Sequence, residues 1–168
     1  MSFLTALVQQ PDWIEAKIGI VGCLANLLFL SSDDQARRER ILAEYVPIAR
    51  EVIGQGTENP RALWLIGGTE LGAPPPYGGD AAKAAATFQR GLEAARREAQ
   101  EDALPAYLPL WGGAENLMSL GYLYSHSTLE DRALALAYAE GALVAVPYWH
   151  YVANVLLPQI RDLGKTAR

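Results

Sequence analysis

The sequence predicts an all-α protein, and three observations carry that prediction. Alanine supplies roughly one residue in six, while valine, isoleucine and threonine are sparse, a composition that favours helix over sheet. No stretch of six or more residues alternates apolar and polar side chains as a half-buried strand does. Helix-starting and helix-stopping signals recur along the chain instead.

Taken in order, Asp12 precedes an apolar run with Ile14, Ile18, Val21, Ala25 and Leu28 at spacings of three and four. Ile18 to Leu30 is too short for a membrane span, which needs about 20 residues, and reads as a buried core helix. Ser32 or Asp33 caps a second segment with Ile41, Tyr45, Ile48, Ala49 and Ile53, which stops at Gly54-Gln55-Gly56. Asn59-Pro60 places a cap before a proline at the first helical position, where a missing N–H costs nothing. Asp80 opens a long helix from Ala81 to about Glu101, and Ser127 with Glu130 forms a capping box before a run that ends ahead of Pro147. A last helix spans about Tyr148 to Leu163.

Length and charge narrow the function classes. With 168 residues, 51% hydrophobic and 20% charged, the chain has enough apolar material for one core and too much for general disorder. A net charge of -5 argues against nucleic-acid binding, which needs a basic stripe to displace counterions. Arg37-Arg38-Glu39-Arg40 and Arg96-Arg97 are interleaved with acids and read as solvated faces. The single cysteine, Cys23, excludes an intramolecular disulfide framework and a thiolate-only zinc site. It lies in an apolar helix, where a thiol behaves as a small hydrophobe. Met1 to Gln10 lack the positive n-region of a secretory signal. Met1 as the native start implies a cytoplasmic protein; removal of a signal peptide implies a periplasmic one.

The predicted helices pair. Starts near Asp12, Pro60 and Trp111 recur at about 50 residues, giving hairpin units at about 12–54, 60–101 and 111–146 within one domain, 1–168. Fixed-period hairpins are the signature of a solenoid, with the helix at about 148–163 capping its end; a plain helical bundle is the alternative. In the third unit Leu117, Leu120, Gly121 and Tyr124, then Ala135, Tyr138, Ala139, Ala142, Leu143 and Pro147, follow the spacing of a tetratricopeptide repeat with a lengthened turn. Small residues are needed where helices cross closely, which gives Gly121, Ala135 and Ala142 a packing reason. The second unit resembles the same motif through Leu63, Ile66, Gly67, Ala84, Phe88 and Gly91, but carries the insertion Ala73-Pro74-Pro75-Pro76-Tyr77-Gly78-Gly79 and has Glu70 where a large aromatic is usual. The first unit matches through Val21, Gly22 and Ala49. Asn59 to Gly91 also resembles tetratricopeptide-type proteins of bacterial envelopes, including the subunit associated with TRAP transporters.

The resemblance implies a right-handed solenoid of about three hairpins acting as an adaptor. Such proteins hold a peptide or partner protein in the groove lined by the first helix of each pair. Carried over by position, that groove presents Arg61, Trp64, Gly68 and Leu71 from the second unit. Glu115, Met118, Tyr122, Ser125 and His126 come from the third, with Cys23 and Asn26 from the first. A groove with Trp64, Met118 and Tyr122 suits an apolar or aromatic ligand, because aromatic anchors dominate such surfaces; the alternative is that Trp64 and Met118 pack against neighbouring helices.

A second function class is a small-molecule pocket or enzyme under the Pro74–Gly79 loop, using Glu70, Tyr77 and His126. Glycines before the Asp80 cap could cradle an anion, but the spacing of a nucleotide loop is absent. Glu70 on an apolar face needs a partner or a raised pKa. His126 and His150 are the only imidazoles, lie near helix junctions and lack HExxH spacing. No GxSxG elbow supports a nucleophile, and no cofactor or metal is implied. Tyr148, Trp149 and Tyr151 spread over more than one face of the last helix and offer an end cover or a homo-oligomer contact.

Overall fold

A computed structural model describes residues 2–73, 75, 78–100 and 111–163, and among them all regular structure is helical. The chain divides into two compact units, Met1–Thr57 and Glu58–Arg168. No helix among the described residues is long and apolar enough to cross a membrane.

The first unit holds three helices, α1 (Phe3–Gln9), α2 (Ile14–Leu30) and α3 (Gln35–Gln55). The sequence gives no clear sign of α1, which has seven residues and is held by a Ser2 side-chain cap on the Thr5 amide. Its Phe3 ring lies over Gly19 of α2, where any side chain would collide with it. Ile20 and Leu24 of α2 pack against Ile41 of α3, with Leu7, Leu28, Tyr45 and Ile48 around them. Buried Lys17 donates to Glu51 at 2.7 Å, which ties the start of α2 to the end of α3. Two expectations are corrected. α2 is buried only as far as Leu24, and Cys23, Leu27, Phe29 and Leu30 are exposed. The cap position of α2 is Trp13, and Asp12 sits 3.7 Å from the Lys17 ammonium. The cap of α3 is Asp34, bonded to the Arg37 amide at 2.9 Å, rather than Ser32 or Asp33.

The second unit contains α4 (Pro60–Gly72), α5 (Ala81–Gln100), α6 (Gly113–His126) and α7 (Arg132–Ala145). A π-helical turn (Val152–Leu156) then runs into α8 (Leu157–Asp162). Asn59 caps α4 through the Arg61 and Ala62 amides, and Asp80 caps α5 through Ala82 and Lys83, as the sequence predicts. The Ser127–Glu130 capping box does not form. Asp131 accepts from the Ala133 and Leu134 amides at 3.0 Å, while its own amide bonds to Tyr124 O and so fixes the turn. Ser127 instead accepts from the Leu129 amide within that turn.

Small residues set the crossings. The ring of Phe88 on α5 fills the place a Gly67 side chain would take on α4, so these antiparallel helices close on each other there. A Cβ at Gly121 of α6 would stand 3.2 Å from the Ala139 Cβ of α7, and Ala135, Ala139 and Ala142 are wholly buried along that seam. Phe88, Leu120 and Leu123 join α5 to α6 in one apolar cluster. Ala135, Ala139, Val152, Leu156 and Ile160 join α7 to the last helix in another. The π turn precedes Pro158. A proline has no amide for the carbonyl four residues back and crowds it, so the helix widens to i→i+5 pairing, as in the Leu157 amide to Val152 O bond.

Candidate functional site

In the second unit α4 and α6 lie side by side. The bonds from Asn116 to Pro60 O and from Trp64 to Ser119 advance together along both chains, so α4 and α6 run parallel. As α6 lies on α4 and α5, the last helix lies on α6 and α7.

The structure brings Tyr122 and His126 together on an exposed face of α6. They sit one turn apart on α6 and stack with centroids 4.4 Å apart and planes 9° from parallel, Tyr122 being 39% exposed. His126 Nδ1 lies 2.7 Å from the Ser125 hydroxyl and 3.2 Å from Tyr122 O, so the imidazole is held in place by its own helix. The Ser125 hydroxyl is also within hydrogen-bond distance of the main-chain oxygens of Gly121 and Tyr122, one and the same hydrogen serving these contacts. Tyr151 of the last helix is 37% exposed, and burial, with the Tyr122 phenol as a lesser cause, pushes its hydroxyl pKa up.

The remaining candidates are placed differently. Trp64 is half-buried: its ring meets Trp111 edge-on at 5.6 Å, its Nε1–H donates to Ser119 Oγ at 3.0 Å, and it packs on the Phe88 cluster. Met118 packs on the Ala139 cluster, and Leu71 on the Phe88 cluster. Gly68 is exposed with open space around it. Glu115 accepts from the Gly112 amide at 2.6 Å, so it closes the start of α6. Gly112 needs its left-handed φ of 116° for that entry, and a side chain there would also meet Arg61 and Pro60 at 3.1 Å. Asn26 is exposed on α2 in the other unit and donates to Gly22 O.

Arg61 is the largest departure from the sequence reading. It is 1% exposed and lies inside the helix layer, not on an open face. Its guanidinium forms a two-pronged ion pair with Glu98 of α5 and donates to Trp111 O at 3.1 Å. Beside it Asn116, fully buried, spends its two amide hydrogens on Pro60 O (2.9 Å) and Gly112 O (2.6 Å). The sequence reading missed Glu98, Trp111, Asn116 and Ser119. The bonds from Arg61 to Glu98 and Trp111, from Trp64 to Ser119 and from Asn116 to Pro60 span 37 to 56 residues, and no motif marks them.

Glu70 has its partners. One oxygen accepts from Thr87 Oγ1 at 2.6 Å and the other pairs with Lys83 at 3.0 Å, so its carboxylate ties α4 to the start of α5. Tyr77 and much of the Pro74–Gly79 loop lie outside the described residues. His150 is bonded to Asn154 within its own helix, and the described contacts do not join it to His126. Among the described residues, no group of three or more His, Cys, Asp or Glu could hold a metal ion. No family model, curated protein or solved structure matches this chain.

Proposed function

We propose that the chain is a tetratricopeptide-like binding module that holds a peptide segment of a partner protein against the first-helix layer of its second unit. The supporting observation is the exposed Tyr122–His126 stack on α6, with half-exposed Tyr151 on the next helix of that layer. Flat, rigid aromatic groups supply contact area at low entropic cost, and the exposed imidazole edge of His126 offers a hydrogen-bonding group to a peptide backbone. The parallel α4–α6 pair and the antiparallel hairpins behind it favour a solenoid reading over a plain bundle. Trp64 and Met118 act as the packed support of this face, since both are held against buried clusters.

The test is a Tyr122→Ala/His126→Ala double variant compared with the parent in native co-purification, with thermal melts as the fold control. Loss of stoichiometric partners at an unchanged Tm is the expected result. An identical partner set in a folded double variant removes this face from the account.

A further inference from the structure

A second site lies at the opposite end of α6 and shares no residue with the Tyr122–His126 face. A cleft of about 370 Å³ opens where α5 ends, α6 begins and α7 ends. Leu92 and Ala95 of α5, Leu117 of α6 and Val146 after α7 give it an apolar lining, with Trp111 as an aromatic wall and Arg96 at its edge. That volume is at the small end of the range of about 300–1,000 Å³ for ligand sites.

Among the described residues, the charges around the cleft leave one group unpaired. Glu98 lines the cleft too, but its carboxylate is engaged by Arg61. Arg97 and Arg90 both reach Glu58. Arg96 is exposed and has no ion-pair partner among the described residues. One positive helix start, that of α6, stands between two negative helix ends, those of α5 and α7, so the helix ends leave a partial negative charge of about half a unit. The full positive charge of Arg96 outweighs it and sets the sign of what the cleft attracts, and the lining sets the rest of its character. We propose that this cleft binds a small carboxylate with an unbranched apolar tail. The carboxylate pairs with the Arg96 guanidinium at the edge and the tail lies along Leu92, Leu117 and Val146 beneath Trp111. An exposed guanidinium gives a modest electrostatic gain, so the tail supplies most of the affinity and the charge supplies the preference.

The experiment is an amide NMR titration of the full chain with octanoate and, in parallel, with 1-octanol. Octanoate is expected to shift the Gly113, Ala114 and Val146 amides saturably, and more tightly than octanol does. Arg96→Gln should weaken octanoate about threefold and leave octanol unchanged, the size expected for an exposed ion pair. Ala145→Trp, at an exposed position on the cleft wall, should abolish both. Absence of saturable shifts at these amides, or an octanoate affinity unchanged in Arg96→Gln, overturns the proposal.

Discussion

Asn116 shows how much one side chain can fix. Both hydrogens of its amide serve main-chain oxygens on different helices, so a flipped side chain would set its oxygen against two acceptors. Its Oδ1 is buried without a hydrogen-bond donor and faces Gly91, whose Cα–H groups are the nearest weak donors. A methyl group at Gly91 would collide with that amide, so Gly91→Ala should destabilise the second unit by about 2–3 kcal/mol, read by urea unfolding. Truncating Arg61 is expected to cost more. Arg61→Ala leaves Glu98 unpaired beside a cavity, and removing one partner of a buried pair costs about 3–5 kcal/mol. A loss below about 1 kcal/mol would show that the Arg61–Glu98 pair is not part of the fold's support. None of this is legible in the sequence. Helical spacing finds neighbours three and four residues apart, whereas Glu98 lies 37 positions from Arg61.

At the scale of elements, spacing and small residues identify α4 to α7, and the caps of α4 and α5 agree with them. Gly67 against Phe88 and Gly121 against Ala139 are the close crossings that those small residues foretell. Where several caps compete, local sequence does not choose. Ser127, Glu130 and Asp131 all stand before α7, and the bond from the Asp131 amide to Tyr124 O selects the third. Asp131→Ala should therefore cost about 1 kcal/mol, while Ser127→Ala and Glu130→Ala stay within about 0.5 kcal/mol in the same denaturation assay. Two further features escape a spacing argument. The seven residues of α1 are too few to register alone, since a short helix depends on what it packs against. The π turn arises from Pro158, two residues beyond it, inside a pattern that reads as ordinary helix.

For the whole molecule, composition and periodicity were sufficient for the helical class, and the boundary between units falls at the Thr57–Glu58 junction, just before the Asn59-Pro60 start of α4. Each unit carries a group that links its stability to alkaline pH. In the first, the Glu51 hydrogen bond raises the Lys17 pKa above 10.5 against an opposing effect of burial, with Asp12 adding to the rise. In the second, burial raises the Tyr124 pKa above 10.0, with Tyr138 and Asp131 as lesser causes. Both groups hold their protons more tightly when folded. Their contribution is complete below about pH 10, and it is lost as pH rises through the folded values. Stability should fall from about pH 10 upward, and Tyr124→Phe should flatten that fall for the second unit in a pH series of thermal melts. Lys17→Met should do the same for the first.

The open first-helix face is the account's central claim, and site-specific photo-crosslinking in cells tests it most directly. A benzophenone side chain placed at Tyr122 lies on that face, and one at exposed Gln89 on α5 serves as the control. The account predicts a discrete crosslinked partner peptide from position 122 that is absent from position 89. Equal products from both positions, or none from 122 while the protein remains folded, would contradict it.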